Sequence, residues 1–230
     1  MKFISRHYKL LNEIVRLPVA ELHFLEALNP PDIRATYRYY TKPHPRYKLI
    51  RNKTIGAALI DLGGFTKHEQ YLDFIKGKNA GAYHAKRARG RGYRLRHIER
   101  NAYAEEIHAI NTSLEERQGR PMDDKYRQKQ THFDTLPHFR YYGVFNAEQR
   151  LVAYANMGYY GNFAAFSQLM GICNNDGIMH MMVVDIVAEL LGEQQVRYLM
   201  YDTFFGAQPG LRSFKTILGF RPYRARYSLQ

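Results

Sequence analysis

The chain has 230 residues, of which 45% are hydrophobic and 14% aromatic, and this composition excludes a disordered protein. Its 34 Lys and Arg against 21 Asp and Glu give a formal net charge of +13, which favours polyanionic partners such as nucleic acid. No run reaches the roughly 18 consecutive apolar residues of a membrane span, and residues 1–17 carry too many charges for a secretion signal. A single cysteine, Cys173, excludes an internal disulfide framework, so we expect a cytoplasmic protein.

The first 65 residues predict helices followed by one strand. Apolar residues predict a helix over residues 1–27, broken near Pro18, resumed over residues 20–28 and ended by Pro30-Pro31. Pro43 and Pro45 mark a loop, and residues 55–62 read as a strand. Because Gly63-Gly64 follow that strand, we place a boundary there. Residues 1–65 are then an N-terminal extension or partial second domain, and residues 66–230 the main domain.

The middle of the chain predicts two helices and an antiparallel meander. Helical patterns cover residues 67–78 and 102–118, with a strand over 93–99 between them. Residues 139–145 and 151–159 flank a turn and read as a hairpin, followed by a strand over 164–172.

The last third predicts a regular succession of helix, strand, helix and strand. Residues 178–191 are apolar on most faces and predict a buried helix, with capping residues before it and Gly192 as its C′ residue. A strand over 197–202, a helix over 211–218 and a strand over 222–229 follow. The predicted fold class is a mixed α+β or α/β sheet flanked by helices.

A strand that runs into a helix N-terminus forms a cleft lined by unpaired N–H groups, which suits a phosphate or an oxyanion. If the protein transfers a group from a carrier that bears a phosphate or a reactive carbonyl, we expect this carrier, the donor, to bind there. The predicted donor-binding residues are Asn175, Asp176, Gly177, Gly210 and Phe214. Asp202 ends a strand and is predicted to act as a general base or to bind an acceptor amine; the alternative is a turn residue. Lys215 is predicted to stabilise the oxyanion or a donor phosphate; the alternative is an exposed helix lysine.

A concentrated basic stretch predicts an anion-binding surface. Arginine makes bidentate phosphate contacts and tyrosine stacks on unpaired bases, so an RNA end is a sensible ligand. The alternative is a solvated basic face. The residues proposed for nucleic-acid or anion binding are Lys86, Arg87, Arg89, Arg91 and Arg94, together with Arg117 and Arg120 at the end of the helix predicted over 102–118.

Three local patterns carry a resemblance to a known family. The first is the basic helix, glycine and strand from Arg87 to Ile98, followed by residues 107–117. The second is the segment Asp176-Gly177-Ile178-Met179-His180, and the third is Tyr201-Asp202 through Gly210-Leu211-Arg212-Ser213-Phe214-Lys215. Residues 80–230 resemble the GNAT (N-acetyltransferase-like) superfamily, and most closely its FemABX-like branch. The resemblance implies a GNAT-like twisted sheet and, in that branch, aminoacyl-tRNA as the donor. The segment GICNNDG before residue 178 lacks the pyrophosphate loop of acetyl-CoA enzymes, which favours another donor.

The predicted function is transfer of an acyl or aminoacyl group from an activated carrier onto an amine by direct attack. The carrier is aminoacyl-tRNA, or an acyl-CoA or carrier-protein thioester, used as a co-substrate and not as a bound cofactor. The alternatives are a non-catalytic RNA-binding protein on a degenerate GNAT scaffold and an enzyme acting at an anionic membrane surface. A homodimer is compatible with the sequence. The ten histidines show no metal-ligand spacing, so we predict no metal. His180 is interpreted as a buried histidine with its hydrogen bonds satisfied, and the alternative is a role in proton transfer. Cys173 is interpreted as a small core residue, and the alternative is a nucleophile.

Overall fold

The computed structural model describes residues 13–45, 48, 50–117 and 120–230. Within them, eight strands form one mixed sheet in the order β1-β10-β2-β9-β8-β7-β6-β3, while β4 and β5 pair with each other. The strands are β1 (Val19–Phe24), β2 (Ile55–Asp61), β3 (Arg94–His97), β4 (Glu116–Arg117), β5 (Arg120–Pro121), β6 (Phe139–Phe145), β7 (Leu151–Tyr159), β8 (Phe163–Gly171), β9 (Tyr198–Thr203) and β10 (Arg221–Leu229).

Residues 13–16 are helical, and seven further α-helices lie entirely within the same ranges. They are α1 (Pro30–Thr41), α2 (His68–Phe74), α3 (Gly81–Gly90), α4 (Ala104–Thr112), α5 (Asp124–Arg127), α6 (Ile178–Glu193) and α7 (Pro209–Ile217). None of the described helices has the length and apolar character needed to cross a bilayer.

Alternation along the strands sends side chains to two separate cores. Helices α2, α3, α6 and α7 pack against one face of the sheet, which we name the α6 face. Helices α1 and α4 pack against the opposite face, which we name the α1–α4 face. Along β9, for example, Leu199 and Tyr201 belong to the α6 face, whereas Tyr198 and Met200 belong to the other.

An aromatic cluster on the α1–α4 face ties the N-terminal segment to the rest of the chain. Phe24 of β1 is fully buried, and its ring lies 5.0–5.8 Å from the rings of Tyr37, Tyr40, Tyr160, Phe163 and Tyr227. Several of these contacts are edge-to-face, the arrangement that the ring quadrupoles favour. The cluster joins α1 and β1 to β8 and β10, which are more than a hundred residues away in sequence.

The helix predicted over residues 20–28 is wrong, because this segment forms β1 and a short 3₁₀ turn at Glu26–Leu28. Residues Ala20, Leu22 and Phe24 alternate with more exposed neighbours, and β1 pairs in parallel with β10. Pro30-Pro31 begin α1 instead of ending a helix, since proline is tolerated in a first helical turn. The part of the prediction at residues 1–12 lies outside the described residues.

The elements predicted between residue 67 and the C-terminus mostly agree with the structure. The hairpin β6–β7, the strands β8, β9 and β10 and the helices α6 and α7 all form at the predicted places. The helix predicted over 67–78 forms as α2 but ends at Phe74. The helix predicted over 102–118 is too long, since α4 ends at Thr112. Gly192 is not the C′ residue of α6; the left-handed residue that ends the helix is Gln194, with φ of 54°.

The predicted domain boundary after Gly63-Gly64 follows β2 directly in the sequence. These glycines form a 3₁₀ turn in which the Asp61 carboxylate accepts a hydrogen bond from the Gly63 N–H. Strand β2 is an inner strand between β10 and β9, so residues 13–65 are built into the same sheet as residues 66–230. The extension therefore contributes one edge strand and one inner strand to the sheet.

Replacing Phe24 with alanine is expected to lower the free energy of unfolding by about 3–5 kcal/mol, because the truncation opens a cavity among five rings. Phe74→Ala is the matched control, since the Phe74 side chain is half exposed, and it is expected to cost much less. Chemical denaturation of both variants measures the difference. Equal losses would show that the cluster does not anchor β1.

Candidate functional site

The sheet splits between β8 and β9. Their parallel pairing covers only three residue pairs and ends at Ala165 with Met200. Strand β8 nevertheless continues to Gly171, paired with β7 as far as Ala153. The edge of β8 that faces β9 is therefore unpaired beyond Ala165 among the described strands. Open α/β sheets form their ligand clefts at such places, at the carboxyl ends of the strands.

Helix α6 begins beside this cleft with free backbone donors. Gly177 precedes the helix with φ of +86°, and no side chain caps the first N–H groups. A Cβ at this position would lie 2.5 Å from the His84 carbonyl oxygen, so glycine is needed both for the conformation and for the approach of α3. The start of α6 can therefore offer its N–H groups and dipole to a negative charge.

Lys215 of α7 lies on the α6 face and is fully buried, so the alternative of an exposed helix lysine is wrong. Its Nζ donates a hydrogen bond to the Thr203 carbonyl at 2.8 Å and lies 4.7 Å from the centre of the Tyr201 ring. Burial lowers the pKa of Lys215 to about 8, against an opposing effect of the Asp202 carboxylate. The ammonium group thus fixes α7 to the carboxyl end of β9, next to the cleft.

Asp202 lies near the carboxyl end of β9 and has the left-handed φ of +53°. Its half-exposed carboxylate pairs with Lys53, whose side chain is mostly buried. Lys53 belongs to the α1–α4 side, because its carbonyl accepts from Tyr227 and its ammonium lies 5.8 Å from the Tyr39 ring. The two predicted catalytic residues are therefore close together in the fold but have their partners on opposite faces of the sheet.

A row of aromatic rings leads from the surface of α3 to the split. Successive ring centres lie 4.5–6.4 Å apart. We name it the aromatic row, and its members in order are Tyr83, His84, His180, Phe214, Tyr201 and Phe166. Tyr201 and Phe166 are the first residues beyond the last β8–β9 pair, one on each strand. The half-exposed Tyr83 marks the outer end of the row.

His180 has no partner for its buried Nδ1 among the described residues, so the expectation of a satisfied core histidine is wrong. Burial, with a smaller effect of the nearby His84, lowers the pKa of His180 to about 4. The ring is therefore neutral at physiological pH and stacks on His84 with its centre 4.5 Å away. Cys173, also expected in the core, is exposed.

The other predicted donor-binding residues are only partly brought together. Phe214 is half-buried in the aromatic row, and Gly177 starts α6. Asp176 is already occupied, since it pairs with Arg91 and accepts a hydrogen bond of 2.7 Å from Tyr93. Asn175 and Gly210 are exposed at the starts of α6 and α7, respectively.

The basic stretch divides into internal and surface groups. Arg89 pairs with Asp185 of α6, Arg91 pairs with Asp176, and Arg94 donates to the carbonyls of Arg89 and Tyr93. Lys86 and Arg87 have no ion pair within the described ranges, and they lie three and four residues after Tyr83, on the same side of α3. The side chains of Arg117 and Arg120 lie outside the described part of the structure.

Sequence reasoning missed Lys53 and His84. Lys53 stands in a loop 149 residues before its partner Asp202, and no local pattern marks such a pair. His84 is part of the sequence Tyr83-His84 on a basic helix, where an aromatic pair could have drawn attention to stacking. Across the described ranges, no group of three His, Cys, Asp or Glu residues could hold a metal ion.

Comparison with known proteins agrees with the fold. No protein-family model matches the sequence. No curated protein matches it either. FemX matches 85% of this chain and 66% of its own at 9% identity and a TM-score of 0.54. A conserved protein of unknown function from Bacteroides thetaiotaomicron matches 72% of this chain and 56% of its own, at 14% identity and a TM-score of 0.52.

A third similar structure is the C-terminal domain of a provisionally assigned lysylphosphatidylglycerol synthetase from Agrobacterium fabrum. It has 15% identity and a TM-score of 0.49 over 72% of this chain. The present chain spans 57% of that structure and 56% of the Bacteroides protein, a little over half of each. The fold is thus the GNAT-like mixed sheet that the sequence resemblance implied, and FemX is among the proteins that share it.

Lys215→Met is expected to change how stability depends on pH. Below pH 8 the lysine is protonated in both the folded and the unfolded chain, so its pKa adds no pH dependence there. Between pH 8 and 10.5 the folded chain loses this proton first, so wild type should gain about 3 kcal/mol in unfolding free energy relative to the variant. Denaturation at pH 7 and pH 10.5 measures the difference, with Lys67→Met on the surface as matched control. Parallel pH curves for wild type and Lys215→Met would contradict the burial of the ammonium.

Proposed function

We propose that the protein transfers an acyl or aminoacyl group from an activated carrier to an amine. The observation that carries this proposal is the split between β8 and β9 beside the uncapped start of α6. Such a cleft lets one substrate approach from each face of the sheet, so that their reactive ends meet in line. A fold-level likeness to FemX adds support of a weaker kind, because folds host many activities.

The donor lies on the α6 face in this proposal and the acceptor on the α1–α4 face. The amine nitrogen attacks the donor carbonyl, the C–N bond forms, and the bond from carbon to the carrier oxygen or sulfur breaks. The electron pair of that bond stays with the carrier, which takes a proton from the attacking nitrogen and leaves as a hydroxyl or thiol. Negative charge that develops on the carbonyl oxygen is stabilised by the first N–H groups of α6, with the positive charge of Lys215 nearby. The half-exposed carboxylate of Asp202 binds the acceptor ammonium and takes up its proton.

The donor that fits the α6 face best is aminoacyl-tRNA. Unpaired bases at an RNA 3′ end stack on aromatic side chains, and the aromatic row would lead such an end from α3 to the split. Lys86 and Arg87 stand beside Tyr83, where they can neutralise phosphates. An acyl-CoA or carrier-protein thioester is the competing donor, and it would need the same oxyanion stabilisation.

The transfer reaction is tested by incubating the protein with radiolabelled aminoacyl-tRNA and acyl-CoA pools and a mixture of small amines. We expect amide products from one pool, and Asp202→Asn should lower the rate by a factor of about 10²–10⁴, since an amide cannot accept the proton. Asp61→Asn is the matched control, because Asp61 is likewise ion-paired at a strand end but lies beside Tyr198, at the opposite end of β9. No transfer from either pool would refute the proposal.

RNA docking on the aromatic row is tested without catalysis. Tyr83→Ala should raise the Kd of a fluorescent single-stranded RNA ending in CCA about 5- to 100-fold, the value of one stacked base. Lys86→Glu with Arg87→Glu should weaken binding and reduce its salt dependence. Arg150→Glu in the β6–β7 turn is the control for charge alone. Equal effects of all three changes would contradict a specific track.

The aromatic row also keeps a second function open, that of a non-catalytic RNA-binding protein. Stacking and phosphate contacts suffice for binding RNA and require no reaction. The two functions separate in the same assays. RNA binding that depends on Tyr83, together with no transfer and no effect of Asp202→Asn, would favour the binding protein.

A further inference from the structure

A lysine of the chain itself occupies the carboxylate that the proposed reaction assigns to the acceptor amine. The Lys53 Nζ is ion-paired with the half-exposed carboxylate of Asp202, and the Lys53 side chain is only 17% exposed. A protonated acceptor amine is also an ammonium group, so Lys53 presents the same chemical group at the same carboxylate. An incoming amine therefore meets an intramolecular competitor that is itself a possible acceptor.

A bulge in β9 places Asp202 beside the split. One residue of β2, Ala58, lies opposite two residues of β9, Tyr201 and Asp202. Asp202 lies two residues beyond Met200, the last residue of β9 that pairs with β8. Bulges redirect side chains and are frequent next to active sites, and the left-handed φ of Asp202 belongs to this one. The ion pair with Lys53 is therefore formed at the point where the two strands separate.

The backbone of Lys53 is fixed on both sides. Its N–H donates a hydrogen bond of 3.0 Å to the Tyr40 carbonyl, and its own carbonyl accepts one of 3.0 Å from the Tyr227 hydroxyl. Both tyrosines belong to the aromatic cluster around Phe24. Strand β2 begins two residues later and runs antiparallel to β9, so Lys53 lies at the carboxyl end of β9. Its ammonium group thus reaches Asp202 from a rigid support.

Three charged groups influence one another at this end of β9. Burial lowers the pKa of Lys215 to about 8; the Asp202 carboxylate opposes this effect, and the ammonium group of Lys53 adds to it. The charge of Lys53 therefore acts on the lysine that the proposed function places near the developing oxyanion. An amine at this position is close to the expected place of the donor carbonyl.

We propose that Lys53 is an acceptor in the protein's own reaction, so that the chain acylates itself at the Lys53 Nζ. This inference rests on the proposed transfer function. Asp202 takes one proton from the Lys53 ammonium, and the neutral Nζ attacks the carbonyl of an aminoacyl ester or acyl thioester. A C–N bond forms, and the bond from carbon to the carrier oxygen or sulfur breaks. Its electron pair stays with the carrier, which takes a second proton from the nitrogen and leaves as a hydroxyl or thiol.

Acylation changes the charge at the site. The amide nitrogen of an acylated lysine carries no positive charge, so its ion pair with Asp202 is lost. The carboxylate is then open to a separate amine. Because a group held in place reacts at a high effective concentration, the first acyl group taken up by each chain goes to Lys53. The ion-paired form is thus a resting state, and self-acylation opens it.

The test incubates the full wild-type chain with the radiolabelled aminoacyl-tRNA and acyl-CoA pools, without added amine, and locates the label by mass spectrometry of peptides. Lys42 is the internal reference. Its ammonium lies 4.8 Å from the centre of the Tyr39 ring, which Lys53 also approaches, but it has no ion pair among the described residues. Lys42 is also exposed, so uncatalysed acylation would favour it. Label at Lys53 should exceed label at Lys42 about tenfold or more, because only Lys53 contacts a base.

Asp202→Asn should lower the rate of labelling at Lys53 by a factor of about 10²–10⁴, since an amide cannot accept the proton. Equal label at Lys42 and Lys53, or labelling of Lys53 that does not depend on Asp202, would overturn the inference. The comparison between the two lysines is made within the wild-type chain, so it does not depend on the folding of a variant.

Two variants separate the charge of Lys53 from its acylation. Lys53→Arg keeps a positive charge beside Asp202 but stays protonated and cannot be acylated, whereas Lys53→Gln is uncharged, like the acylated side chain. Transfer to added small amines should therefore be faster in Lys53→Gln than in Lys53→Arg. Equal rates would overturn the inference that Lys53 blocks Asp202. Transfer to added amines without label at Lys53 would refute self-acylation and leave the proposed function intact, whereas the absence of both would refute the proposed function itself.

Discussion

The early end of pairing between β8 and β9 is the constraint on which the rest of the site depends. A parallel pair that continued beyond Ala165 would close the sheet and leave no opening between its two faces. The structure holds the end of β9 in place from both sides, with Lys215 bonded to the Thr203 carbonyl on one face and Lys53 paired with Asp202 on the other. Asp202 itself adopts a left-handed conformation, which is unfavourable for a non-glycine residue and needs such support.

The excess of positive charge is distributed unevenly between structure and surface. Three arginines of the basic stretch are engaged: Arg89 with α6, Arg91 with Asp176 just before α6, and Arg94 with backbone carbonyls of α3 and of the turn that follows it. The ion pairs of Arg89 and Arg91 hold α3 against α6 and the residues before it. The lack of a side chain at Gly177 lets the His84 carbonyl approach the start of α6. The cations that remain on the outer side of α3 stand next to an exposed tyrosine. Lys86 and Arg87 would therefore attract a polyanion, whereas the ring of Tyr83 would position its end.

Local pattern predicted the second half of the chain well because its elements are formed by short-range signals. Helix α6 is apolar on most faces, and β6 and β7 are adjacent strands joined by a tight turn, so neighbours in sequence are neighbours in space. Strand β1 has only six residues and pairs with β10, about two hundred residues later in the chain. Its three buried residues are too few for local pattern to distinguish a strand from a helix. Pro30-Pro31 can mark either the end or the beginning of a helix, so the sequence pattern does not reveal that α1 begins there.

The sequence by itself determined the class of fold, the succession of helix and strand in the last third, and the likeness to GNAT-like proteins, because these depend on periodicity and local motifs. Only the tertiary structure decided which side chains are available for chemistry. It buried Lys215, turned Asp202 to the other face, occupied Arg89 and Arg91, and brought His84 onto His180. The physical reason is that burial, pairing and the face of a sheet are set by partners distant in sequence, and no local pattern encodes them.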